Sequence, residues 1–223
     1  MTSSDFLHDT RAGYDAIAVD YADRYRDVYA GKPPHRALLG AFAELVTGSG
    51  AADGLVADIG SGPGLITAHL DGLGVPVLGI DLSPRMVELA RATYPGLRFE
   101  VGSMTELAAP DGRFAGIVAS YSIIHIPDAV LPSVFAEFHR VLAPGGELLV
   151  AFQVGDEPLR FTEAFGHSVA LDFHRLRPER IERLLYEAGL FTHTRMVCEP
   201  NTASGETTPQ AYLMARKPTE PRG

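Results

Sequence analysis

The chain has 223 residues, enough for one generous domain, with 46% hydrophobic and 21% charged residues, as in an ordinary globular protein. A formal net charge of −9 without a long basic run argues against nucleic acid or an anionic membrane as partner. No apolar run approaches the ~20 residues of a membrane helix, the polar start MTSSDFLHDTRAGYD lacks a signal peptide's apolar core, and a lone cysteine, Cys198, fits a reducing cytoplasm.

In chain order, Tyr14, Ile17, Tyr21, Tyr25 and Val28 recur at three or four residues and predict a helix over 12–29. Gly31 and Pro33-Pro34 end it and open a second helix, whose apolar face carries Leu38, Leu39, Phe42, Leu45 and Val46. From residue 54 short apolar runs alternate with helical patterns. Strands are expected at 55–59, 75–81, 97–101, 114–120 and 147–152. Helices are expected at 65–73, at 83–93 with Ser83 as N-cap and Pro84 at its first position, and at 128–142, ended by Pro144-Gly145-Gly146. Residues 153–176 read as irregular and 177–190 as an amphipathic helix, with strands at 192–200 and 210–217 as an antiparallel hairpin. The pattern predicts one α/β domain: a Rossmann-like, doubly wound sheet of about seven strands, mostly parallel. Its parts are an N-terminal helical lid over 1–50, a core over 54–152, and an acceptor-pocket segment with the hairpin over 153–217.

The segment VADIGSGPG (56–64) places Gly60, Gly62 and Gly64 between a strand and a helix, where an open α/β sheet binds its ligand. A dinucleotide fingerprint needs its third glycine at position 65, which is Leu65, and no Gly-Lys-Ser/Thr follows. Asp58 beside the turn suits an ammonium group better than a pyrophosphate. Asp81, at the end of the second strand and 21 residues after Gly60, is placed to accept ribose hydroxyls. An ammonium end and a ribose without phosphate describe S-adenosylmethionine.

With GIDLSPRMVELAR (79–91), FEVGSMTEL (99–107), GIVASYSIIHIP (116–127) and FAEFHRVLAPGGELLVAF (135–152), the sequence resembles the class I S-adenosylmethionine-dependent methyltransferases, in particular their small-molecule, type 11-like branch. The resemblance covers residues 12–217. It implies that Gly60, Ser61 and Gly62 line the methionine part of the cofactor and that Asp58 holds its ammonium group. Asp81 then binds the ribose, Leu82 and Met86 pack on the adenine, and Gly102, Ser103 and Met104 flank the adenine edge. Ser120 and Tyr121 close the methionine side, and the N-terminal helices bring Tyr14 and Tyr21 to the cofactor carboxylate. Serine at 103 departs from the usual aspartate.

His125, just past the fourth strand, is the candidate general base for an acceptor that must lose a proton. His167 and His174, seven apart, could share a helical face. Tyr14, Tyr21, Tyr121, Phe152, Phe161, Phe165 and Phe173 are candidates to line an acceptor pocket. No His/Cys/Asp cluster has metal-ligand spacing, so no metal is expected. The expected function is methyl transfer to an O, N or C atom of a small-molecule acceptor by a cytoplasmic monomer or homodimer. The competing readings are a non-catalytic S-adenosylmethionine-binding protein and a nicotinamide-dependent oxidoreductase.

Overall fold

The structure is a computed structural model that describes residues 3–51, 53–202 and 205–219. Two helices come first, α1 (Ser3–Ala30) and α2 (Pro33–Ser49). The alternating part follows: β1 (Val56–Ile59), α3 (Leu65–Gly72), β2 (Val77–Asp81), α4 (Pro84–Thr93), β3 (Arg98–Val101) and β4 (Phe114–Ser120). A 3₁₀ turn (Ile123–His125) leads to α5 (Leu131–Val141) and β5 (Leu142–Gln153). The chain ends with β6 (Leu159–Ala164), β7 (His167–Phe173), α6 (Pro178–Glu187), β8 (Phe191–Cys198) and β9 (Gln210–Arg216).

Seven strands form one sheet in the order β3-β2-β1-β4-β5-β9-β8. The first five pair in parallel, and β9 runs antiparallel to both β5 and β8. Alternation along each strand divides the core between two faces. Val118 and Leu149, paired in register, meet Leu39, Phe42 and Val46 of α2. Their neighbours Ile117, Ala119, Leu148 and Val150 turn to the other face and pack with Phe135 and Phe138 of α5 and Ile181 of α6. Gly116 permits the close approach of α2, since a Cβ there would lie 2.7 Å from the Phe42 ring.

Three features differ from the sequence reading. Helix α5 ends at Val141, before Pro144-Gly145-Gly146, and those residues extend β5 instead. They pair with the chain beyond β9: Gly145 N donates to the carbonyl of Lys217 and Lys217 N to that of Gly146, each at 2.9 Å. The segment read as irregular holds the two-stranded β6–β7 hairpin, whose turn residues Phe165 and Gly166 have φ of 51° and 77°. His167 therefore opens a strand and His174 follows it, so the two do not share a helical face.

The hairpin packs on α1. Ile17 forms a cluster with Val169 and Leu171, and Tyr14 and Tyr21 border it. Gly13 lets the elements touch, because a Cβ there would lie 2.7 Å from Cδ2 of Leu171. The predicted tyrosine stripe thus covers a hairpin that the sequence pattern did not show.

Candidate functional site

Strand order reverses between β1 and β4, and their C-terminal ends open a crevice at that switch point. The chain leaves β1 in a glycine turn whose Gly60 and Ser61 amides donate to the carbonyl of Ile80, at 2.7 and 3.1 Å. Gly60 has φ of 75°, and a Cβ there would sit 2.2 Å from Cβ of Ser122, so β4's exit leaves no room for a side chain. Gly62, at φ of 52°, has nothing within 4 Å of its Cβ position.

The two acids beside this turn differ. Asp81 is on the cavity wall, and its carboxylate is held by backbone: Gly62 N donates to Oδ2 at 2.7 Å and Ser83 N to Oδ1 at 2.8 Å. Burial raises its pKa to about 6 against the pull of those two donors. Asp58 is 1% exposed and lies off both cavities described below; it accepts the Thr67 hydroxyl at 2.6 Å. Burial raises it to about 7, partly offset by Thr67.

The first cavity, about 730 Å³ of open space, lies between α1 and the ends of β1, β2 and β4. It gathers Tyr14, Tyr21, Gly60, Gly62, Asp81, Leu82, Met86, Gly102, Ser103, Met104, Ser120, Tyr121 and His125. Of the residues expected to bind the cofactor, only Asp58 and Ser61 are off its wall; Ser61 lines the second cavity. The Ser103 hydroxyl is engaged locally, accepting from Thr105 N at 3.2 Å and lying 2.7 Å from the Thr105 hydroxyl. Ser83 caps α4, accepting from Met86 N at 3.1 Å, and this fixes Met86 in the wall. Phe6, Leu7 and Thr10, from the first turns of α1, also line it. They carried no motif and are found only through the lid's position.

His125 is 8% exposed. Its Nδ1 lies 2.9 Å from the carbonyl of Asp172, which can only accept, so Nδ1 carries the proton. Nε2 is then the acceptor for the Tyr14 hydroxyl at 2.8 Å. Burial lowers the ring's pKa to about 4 and keeps it neutral.

The second cavity, about 1540 Å³ of open space, lies beyond the first, between α1, the start of α2, the β6–β7 hairpin and the loop before β9. Tyr14, Tyr21, Gly60, Gly62, Ser120 and Tyr121 line both cavities, so the two meet at one wall. Tyr121 has φ of 53°, a left-handed conformation that costs a residue with a Cβ on the order of 1 kcal/mol. Its hydroxyl lies 3.0 Å from that of Tyr212 and accepts from Lys32 Nζ at 3.3 Å. Of the other aromatic candidates, Phe161 and Phe173 line this cavity. Phe152 does not: it is fully buried in the core, pointing inward from β5. Phe165 does not either, because it is the exposed tip of the β6–β7 turn.

This strand order, with a glycine turn and an acid at neighbouring strand ends under a helical lid, defines the class I methyltransferase fold. Residues 56–146 match a family model described as "Methyltransferase domain". Among curated relatives, a demethylmenaquinone methyltransferase of Chlorobaculum parvum is 35% identical over 92 residues. The match covers 41% of this chain, and the chain spans 37% of that relative's length. An uncharacterized methyltransferase of Geobacillus kaustophilus is 27% identical over 82% of this chain and 80% of its own. Among solved structures, the 1,6-didemethyltoxoflavin-N1-methyltransferase of Burkholderia thailandensis, with its substrate and S-adenosylhomocysteine bound, aligns at TM-score 0.71 and 21% identity. That alignment covers 98% of this chain and 91% of the other, and the likeness is one of fold. The magnesium protoporphyrin IX methyltransferase of Synechocystis, with S-adenosylmethionine bound, shares the fold at TM-score 0.71 and 16% identity, covering 97% and 100%.

Proposed function

We propose that the chain is an S-adenosylmethionine-dependent methyltransferase that acts on an O, N or C atom of a small-molecule acceptor. The observation that carries this reading is the meeting of two cavities at the wall of Tyr14, Tyr21, Gly60, Gly62, Ser120 and Tyr121. One is suited to the cofactor and the other to the acceptor, and transfer needs chiefly proximity and in-line alignment between the two. When bound, S-adenosylmethionine supplies an activated methyl group on its sulfonium.

The first cavity fits that cofactor. Gly62 faces open space where a Cβ would otherwise stand, and each Asp81 oxygen accepts one backbone amide and keeps a lone pair for a ribose hydroxyl. Leu82 and Met86 provide apolar surface for the adenine, with Gly102, Ser103 and Met104 at its edge. Gly60, Ser61, Gly62, Ser120, Tyr121, Tyr14 and Tyr21 surround the methionine part. Asp58, below the turn and bonded to Thr67, acts on the ammonium group through water.

Where the acceptor must lose a proton, Tyr14 is the residue that both lines the two cavities and is hydrogen-bonded to His125. Its oxygen takes the acceptor's proton while its own proton passes to Nε2 of His125, whose Nδ1–H stays on the Asp172 carbonyl. The lid is residues 1–50, the cofactor core 54–152, and the acceptor segment with the hairpin 153–217. No helix among the described residues is long and apolar enough to cross a membrane. We place the enzyme in the cytoplasm as a monomer or homodimer, supported by its lone free cysteine and acidic charge.

Calorimetric titration with S-adenosylhomocysteine, with NADH as control, tests this reading. Micromolar or tighter binding of the first alone is expected. Binding of NADH instead would overturn the cofactor assignment and every role built on it.

A further inference from the structure

The second cavity has two chemically different ends. One is apolar and ringed: Phe161 and Phe173 pack edge to face at 5.2 Å, and Tyr21 and Tyr25 stack at 4.2 Å on the facing side of α1. The other is polar and built from the junction of α1 and α2, which contributes Tyr29, Lys32 and His35. Glu206 enters it from the loop before β9 and balances the lysine: Nζ of Lys32 lies 2.8 Å from Oε1, with the two side chains 16% and 14% exposed. The same ammonium sits 4.5 Å above the Tyr121 ring.

Two polar atoms at this end are orphaned. Nδ1 of His35 and the hydroxyl of Tyr29 are buried without a hydrogen-bond partner among the described residues. His35 is 1% exposed, and its Nε2 lies 3.2 Å from the Ser120 hydroxyl. Burial, with Lys32 next in weight, lowers its pKa to about 3, so it offers a hydrogen bond and no charge. The Tyr29 ring meets His35 edge on at 5.8 Å, and His35 in turn lies against Tyr121 and Tyr212. Buried polar groups are almost always paired, and an orphaned pair in a cavity wall lacks the partner that a bound molecule can supply.

We infer that this end is the recognition subsite for the methyl acceptor, selecting a flat aromatic molecule that carries an uncharged carbonyl or similar hydrogen-bond-accepting oxygen. The rings at the other end take the aromatic body, and Tyr29, His35 and the spare Lys32 proton converge on the oxygen. An ammonium group is disfavoured there, because the carboxylate at this end, Glu206, is already paired with Lys32. The inference rests on the methyltransferase reading of the adjoining cavity.

Three probes of one shape test it: 2-acetylnaphthalene, 2-ethylnaphthalene and 1-(2-naphthyl)ethylamine, titrated into the full chain saturated with S-adenosylhomocysteine. With the Ser120 hydroxyl donating to Nε2, the His35 proton sits on Nδ1. The ketone is expected to bind on the order of tenfold more tightly than the ethyl compound and more tightly than the amine, since its oxygen accepts from Nδ1 and the Tyr29 hydroxyl. In the Tyr29→Phe/His35→Phe variant this preference collapses, while affinity for S-adenosylhomocysteine stays at the wild-type value. Should the double variant not fold, Tyr29→Phe alone must lower the preference. Equal affinities, preference for the amine, no binding of any probe, or a preference that survives both substitutions would overturn the subsite. Failure of S-adenosylhomocysteine to bind the wild type would instead overturn the methyltransferase reading itself.

Discussion

The Tyr14 hydroxyl donates to Nε2 of His125 at 2.8 Å across 111 residues of sequence. The direction of that bond is set from the far side of the ring, where Nδ1 faces the Asp172 carbonyl at 2.9 Å. One imidazole thus joins the lid helix α1, the turn after β4 and the hairpin strand β7.

This arrangement predicts a neutral His125 with the proton on Nδ1. At pH ~5.5, below the ordinary histidine value, nitrogen chemical shifts should still show that tautomer, because burial holds the pKa near 4. Tyr14→Phe should leave the tautomer in place and lower stability to urea by about 1 kcal/mol, the usual size of one buried hydrogen bond. An imidazolium signal at that pH would refute the assignment.

Cofactor affinity should depend on pH through Asp81. Its folded pKa is raised to about 6, so the carboxylate proposed to accept ribose hydroxyls is present above that value and lost as pH falls through it. S-adenosylhomocysteine should therefore bind more weakly at pH ~5 than at ~7.5, with ionisation of Asp81 coupled to binding. Asp58, raised to about 7, titrates nearby, and Asp58→Asn separates the two contributions. Calorimetry across that range would decide, and a flat affinity would count against the ribose role.

Two alanine substitutions in one turn should behave differently. Gly60→Ala places a Cβ 2.2 Å from Cβ of Ser122 and strains a positive φ, so the folded yield or melting temperature should drop sharply. Gly62→Ala meets no protein atom; it should fold with a loss of about 1 kcal/mol from its φ yet bind S-adenosylhomocysteine poorly. Wild-type affinity in Gly62→Ala would mean that the cofactor does not approach this backbone.

The lid should be fastened at Asp15. Its Oδ1 accepts the Ser83 hydroxyl at 2.5 Å and Arg85 N at 3.2 Å, clipping α1 to the start of α4 beside Asp81. Asp15→Ala should expose α1 to trypsin, with first cleavages at Arg11, Arg24 or Arg26, and should speed release of S-adenosylhomocysteine. Unchanged cleavage kinetics would show that α1 is held by its packing on β7 alone.

Much of this protein was legible in its linear sequence because the signals are local. Alternating apolar runs placed the five parallel strands within a few residues, Ser83-Pro84 marked the start of α4, and glycines after β1 with an acid at the end of β2 marked the cavity at the switch point. Each depends on backbone geometry or on side-chain spacing within a few residues. The β6–β7 hairpin escaped because β6 is solvent-exposed along nearly its whole length and the turn uses Phe165 in a conformation that favours glycine. The Thr67 hydroxyl that holds the Asp58 carboxylate was equally invisible in the sequence, because that pairing depends on how α3 packs beside β1.

By itself, then, the sequence determined the α/β class, the strand–helix alternation and the place of the glycine turn after β1, since these follow from short-range periodicity and glycine chemistry. Only the tertiary structure decided the tautomer of His125, the pairing of Lys32 with Glu206, and the two orphaned groups at the polar end of the second cavity. Those depend on which distant segments are buried against one another, and burial sets both hydrogen-bond partners and protonation.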